Sequence, residues 1–118
     1  PEDVGIVNDG GQLHILGLKT EKGSIKIDTL NGGKTEVLGA HIAEVGNNPA
    51  TNEPIFRSQE GKVSYVNLRT SSFADDNYQT LVEEIRGGES RRTLREEGFS
   101  GDGWATGDGV AFPLYVGW

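Results

Sequence analysis

The sequence predicts an all-β chain: a short parallel β-helix of about three coils, then a β-hairpin and an aromatic C-terminal strand. Three observations carry this. One strand-like stretch occurs three times, as GQLHILGL at residues 11–18, GKTEVLGA at 33–40 and GKVSYVNL at 61–68, at offsets of 22 and 28. Glycine-led turn clusters precede each copy. Finally, 18 glycines and an apolar fraction of 34% suit a thin, turn-rich β architecture better than a helical bundle. Stacked units with a period in the twenties each bury a face against the next, which is the signature of a coil.

In order along the chain, residues 1–10 carry acids, an isolated apolar patch at Val4, Ile6 and Val7, and the start of a turn cluster running to Gly11. In copy one, Leu13 and Ile15 alternate with Gln12 and His14, and Leu16 and Leu18 flank Gly17, which reads as a strand. Residues 19–23 read as a charged turn, and residues 24–28 (SIKID) alternate again. Asn31-Gly32-Gly33 is the strongest turn signal and leads into copy two. There Thr35 and Val37 share a face, and Leu38, Ile42 and Val45 continue the apolar series. A loop with two prolines over residues 46–54 explains the longer second offset. Ile55-Phe56 then matches Ile25-x-Ile27 as a short strand before copy three.

Beyond Arg69 the repeat is expected to stop. Residues 71–77 read as a polar loop. Residues 78–86 (YQTLVEEIR) fit either a strand or a helix, and the Gly87-Gly88 turn with residues 89–94 favours a hairpin. Residues 99–110 form a glycine–aspartate loop around Trp104, and Pro113 favours an edge position for the last strand. All 118 residues are expected to form one domain, with coils over 1–70 and a hairpin plus C-terminal capping or assembly segment over 71–118.

Composition narrows the function. A net charge of −7 argues against a nucleic-acid partner, which needs clustered Lys and Arg. Without cysteine there is no disulfide, thiolate chemistry or Cys-based zinc site. No apolar run approaches the roughly 20 residues that span a bilayer as a helix. The start at Pro1 and the absence of methionine suggest a processed product or excised piece, expected outside the cell or at its surface.

At GLKTE (17–21), GGKTEVLGAHI (32–42) and VEEIRGGESRRTL (82–94) the chain resembles the C-terminal portion of bacterial proteins of the pectate-lyase-like superfamily. That group has a GLKTE strand, a glycine-rich turn, a TEVLGG strand and a final VEETR-GETR-L hairpin. The resemblance implies a single-stranded, right-handed β-helix and, for a longer parent, a polysaccharide lyase or glycoside hydrolase. It implies no catalytic residue here, because the family's cleaving carboxylates and bases sit in middle coils that have no counterpart.

Candidate chemistry is sparse. Asp75 and Asp76 are a carboxylate pair of the kind that cleaves glycosidic bonds, but neighbours on a strand face opposite ways, so a solvated loop with an Asx turn is expected. His14 and Glu36 occupy equivalent places at an offset of 22 and should stack as an ion pair rather than an acid–base couple. Glu36, His41 and Glu44 are expected near one another around copy two. Asp102 and Asp108 could offer oxygens to calcium, but their spacing fits no EF-hand, and neither a metal nor a cofactor is expected. Trp104, Phe112, Tyr115 and Trp118 could stack on sugars; capping the open end or packing on a neighbouring subunit is the favoured reading.

These readings point to a non-catalytic structural module that self-associates, as a filament or multimer of copies of itself. The alternatives are a C-terminal fragment of a polysaccharide-cleaving enzyme and a carbohydrate-binding module.

Overall fold

The computed structural model describes residues 4–21, 25–44, 53–72, 78–100 and 109–117. Their elements are β1 (Val4–Asp9), β2 (Gln12–Glu21), β3 (Ile25–Leu30), β4 (Lys34–Glu44), β5 (Phe56–Gln59), β6 (Lys62–Ser72), β7 (Thr80–Arg86), β8 (Glu89–Leu94), β9 (Phe99–Ser100) and β10 (Val110–Val116). Among the described residues a 3₁₀ turn, Arg95–Glu97, interrupts the strands and no α-helix occurs. The chain is all-β.

The strands form two sheets, ordered β1-β3-β5-β7-β8 and β2-β4-β6-β10-β9. The chain alternates between them through β7, and each return is parallel to the strand before. The three copies are three adjacent rungs of the second sheet. Ile15 pairs with Val37 and Val37 with Tyr65, at the sequence offsets of 22 and 28. Backbone bonds carry the stacking through the turns: Gly10 N donates to Leu30 O at 2.9 Å and Lys62 N to Gly33 O at 2.9 Å. The glycines that lead copies two and three sit where turns nearly touch. A Cβ on Gly33 would lie 2.9 Å from Asn8 O, and one on Gly61 would lie 2.8 Å from Thr29 Cγ2.

A second glycine position reverses the strands. Gly17 (φ 81), Gly39 (φ 88) and Asn67 (φ 58) fall on one row between the Leu16–Leu38–Val66 and Leu18–Ala40–Leu68 pairs, all in the left-handed region. One residue in that region shifts the period-2 alternation by a step, as a bulge does. Before it the inward residues are Thr35 and Val37; beyond it they are Ala40, Ile42 and Glu44. Leu38, expected to continue the buried series with Ile42, lies on the other side of the step, so it faces outward beside inward Val37 and is 41% exposed.

Three further expectations change. Residues 19–21 belong to β2 rather than to a turn, because they pair with residues 41–43 of β4. The patch at Val4, Ile6 and Val7 is a strand, since Val4 pairs with Ile25 and Ile6 with Ile27. The repeat also does not stop at Arg69: β7 adds a fourth parallel rung to the first sheet, with Val82 beside Phe56. The hairpin reading of residues 78–94 holds. β7 and β8 pair antiparallel, and Gly87 (φ 54) and Gly88 (φ 82) give the two positive φ values of a type I′ turn. Pro113 lies opposite Asn67, in a gap of the β6–β10 ladder.

The core between the sheets includes Ile27, Val37, Ile42, Ile55, Phe56, Tyr65, Leu68, Leu81 and Val82, with Phe56 and Tyr65 stacked 4.3 Å apart. Each such side chain contributes roughly 1.5–3 kcal/mol by leaving water. The low apolar fraction is offset by polar side chains that pair inside. Asn8 Nδ2 donates to Lys34 O and Thr35 Oγ1, both at 3.0 Å, and the hydroxyls of Thr29 and Thr35 lie 2.8 Å apart. The first sheet carries a row of alternating charge, Asp28–Arg57–Glu83–Arg92, in register over four strands. Arg57 Nη2 meets Asp28 Oδ2 at 2.6 Å and Arg92 Nη2 meets Glu83 Oε2 at 2.8 Å.

The left-handed row makes a direct prediction. Gly39→Ala should cost about 1–2 kcal/mol, since a Cβ there meets no neighbour and only the backbone conformation is penalised. Asn67→Gly should be neutral or stabilising. Urea unfolding of both variants checks this.

Candidate functional site

The residues proposed for chemistry do not converge. His14 Nδ1 lies 3.3 Å from Glu36 Oε1, on adjacent rungs as their spacing requires. Both side chains are largely exposed, at 66% and 44%, so the pair is worth little and holds no reactive centre. A shallow groove of about 210 Å³ beside it is lined by Lys34, Thr35, Lys62, Val63 and Ser64. Glu36, His41 and Glu44 are not neighbours, contrary to expectation. The reversal at Gly39 leaves His41 on the outer face and sends Glu44 inside, where it is fully buried. Asp75, Asp76, Asp102, Asp108, Trp104 and Trp118 lie outside the described residues.

Phe112 and Tyr115 face inward from β10, packed on the core. The Tyr115 ring stacks on Tyr65 at 5.8 Å, which in turn stacks on Phe56. Its hydroxyl donates to the buried carboxylate of Glu84, so both its face and its polar atom are engaged within the fold. Burial, and then the Glu84 carboxylate, pushes the Tyr115 hydroxyl well above the ordinary phenol range. Both aromatics are partly buried against the interior.

Glu44 is held by an arginine that its sequence position does not suggest. Arg95 Nη1 donates to Glu44 Oε1 at 2.6 Å and Oε2 at 2.9 Å, and to Tyr78 O at 3.2 Å. Burial raises the Glu44 pKa, and the Arg95 bonds work against that rise. The pair ties β4 to the start of the 3₁₀ turn across 51 residues, a distance no local pattern reports.

The most distinctive surface is an open rung. β1 and β2 are the terminal strands of the two sheets, and among the described residues nothing pairs with their outer edges. On β2 the inward residues Leu13, Ile15, Leu18 and Thr20 are only half-buried, whereas Val37 and Ile42 on the next rung are fully buried. Among its described residues this edge has no proline and no inward-pointing charge, while Lys19 and Glu21 project outward and Gly17 interrupts the run as a bulge does. The other end differs. β8 ends the first sheet with Glu89, Arg91 and Arg92 exposed, and β10 crosses β6 antiparallel with Pro113 on its run.

The outer face of the second sheet is ordered in rows. Leu16, Leu38, Val66 and Leu114 make one row, with Leu16 79% and Leu114 61% exposed. Beyond the left-handed row lies a basic one, Lys19–His41–Arg69. The offsets of 22 and 28, carried past the end of the eight-residue copies, would have found it in the sequence. No protein-family model, curated protein or solved structure matches the chain.

Removing Arg95 tests the internal pair. Arg95→Ala should cost about 3–5 kcal/mol by stranding a buried carboxylate. Folded Glu44 binds its proton more tightly than the unfolded chain does, so its contribution is most favourable below the ordinary carboxylate value. That contribution falls as pH rises through the elevated folded value. Loss of Arg95 raises that value further, so the variant should regain stability relative to wild type on acidification from pH 7. Thermal unfolding across pH checks the sign.

Proposed function

We propose that this chain is a non-catalytic structural module, a short right-handed parallel β-helix that self-associates through its open rung. The supporting observation is the asymmetry of its ends. Among the described residues β1 and β2 are edge strands without a partner, with half-exposed interior residues on β2, while exposed charge, Pro113 and antiparallel strands mark the other end. An unprotected edge recruits another strand. The occupant is a second copy of this chain, docked edge to edge. Because only one end is receptive, the contact is isologous and closes as a dimer; a head-to-tail filament needs two receptive ends. Assembly outside the cell or on its surface fits a module of this kind.

A second reading is favoured by the register. Leu13, Ile15 and Leu18 occupy the same inward rows as Val63, Val37 and Leu68, so a further parallel coil would continue them. The chain would then close the end of a longer, polysaccharide-active β-helix.

Sedimentation equilibrium separates the two. Self-association predicts a reversible dimer at micromolar concentration and its loss in Ile15→Lys, which places a charge on the inward face of the edge. A wild-type chain that stays monomeric over the whole range overturns self-association and leaves the second reading.

A further inference from the structure

We propose that the row Lys19–His41–Arg69 is a binding site for a tetrahedral dianion of the phosphate or sulfate type. It is independent of the open rung's role. The three residues sit in register on β2, β4 and β6, so their side chains leave the same face of the second sheet at successive rungs about 4.8 Å apart. They border a groove of about 270 Å³ whose other walls are Gly17, Leu18, Gly39, Ala40 and Asn67. Space stays open at Gly17 and Gly39, where a Cβ would meet nothing within 4 Å. The left-handed backbone that reverses the strands thus also opens the groove.

Among the described residues the row is compensated only at Lys19, by an exposed ion pair with Glu21. Four of the chain's five other arginines meet carboxylates: Arg57 meets Asp28, Arg86 meets Glu84, Arg92 meets Glu83 and Arg95 meets Glu44. Arg69 meets no carboxylate among the described residues, although the net charge of −7 leaves acids in excess. The acids near the row are engaged or turned away. Glu21 contacts Lys19 at 3.8 Å with both side chains exposed, Glu36 lies beyond Gly39 against His14, and Glu44 points inside to Arg95. Like charges on adjacent strands repel, so a row of this kind gains from an anion across it.

The donor set suits an oxyanion. Arg69 offers a planar fork that matches two oxygens of a tetrahedral group, and Lys19 supplies a mobile point charge. His41 is fixed in the middle by a hydrogen bond between Nε2 and the Ser71 hydroxyl. Burial first, then Arg69 and Lys19, hold the His41 pKa below its ordinary value. A dianion in the groove opposes the last two effects, so its binding draws a proton onto His41 and tightens as pH falls.

Ring resonances of the chain's two histidines give the test. They are titrated in chloride and in inorganic phosphate or sulfate at matched ionic strength. The His41 midpoint should move upward with either oxyanion while the His14 titration is unchanged by it, and Arg69→Gln should weaken binding at least ~10-fold. His41→Gln, folded by circular dichroism, should lose the pH dependence of binding. A monosaccharide carrying one sulfate or phosphate distinguishes the source: tighter binding than the free ion assigns the group to a larger ligand, and equal binding assigns the ion itself. Equal movement of both histidines, the same effect in chloride, or full affinity in Arg69→Gln would overturn the site.

Discussion

The structure depends on one backbone constraint: a left-handed residue in the middle of each long strand, at Gly17, Gly39 and Asn67. A strand of ten or eleven residues with uninterrupted alternation would keep one set of side chains inside throughout. The left-handed step exchanges the two sets. It brings Ala40, Ile42 and Glu44 inward while turning His41 outward. The buried Glu44–Arg95 bond and the basic row both follow from that exchange. Because the rungs are in register, the step recurs at one height, and local geometry becomes a groove along the face.

The interior compensates for a modest apolar content in two ways. Stacked aromatics, Phe56 on Tyr65 and Tyr65 on Tyr115, fill the space between the sheets. Buried polar groups are arranged as ladders, so Asn8, Thr29 and Thr35 satisfy one another and the turn backbone across rungs. Such ladders need neighbours above and below. That requirement is met at β4, while at β2 the same rows end half-exposed.

The parallel stacking of residues 11–18, 33–40 and 61–68 was legible because register repeats the sequence offset, and His14 beside Glu36 follows from it. The reversal of facing was not, since a leucine–glycine pair carries no mark of its φ. Strand β1 was obscured by Gly5 and by acids around a short apolar patch. Strand β7 was legible as half of a hairpin, but its parallel pairing with β5 was not, because its offset matches neither 22 nor 28. Arg95 and Glu44 meet over a separation that only the completed fold creates, and the same holds for Tyr115 and Glu84.

If the open rung is what this fold presents to other molecules, its backbone should be the part that responds to concentration. Amide hydrogen exchange measured from dilute to concentrated protein tests this most directly. The account predicts that amides of β2 gain protection as concentration rises, while those of β8 and β10 do not change. Protection of β2 that is independent of concentration, or a gain confined to β8 or β10, would contradict it.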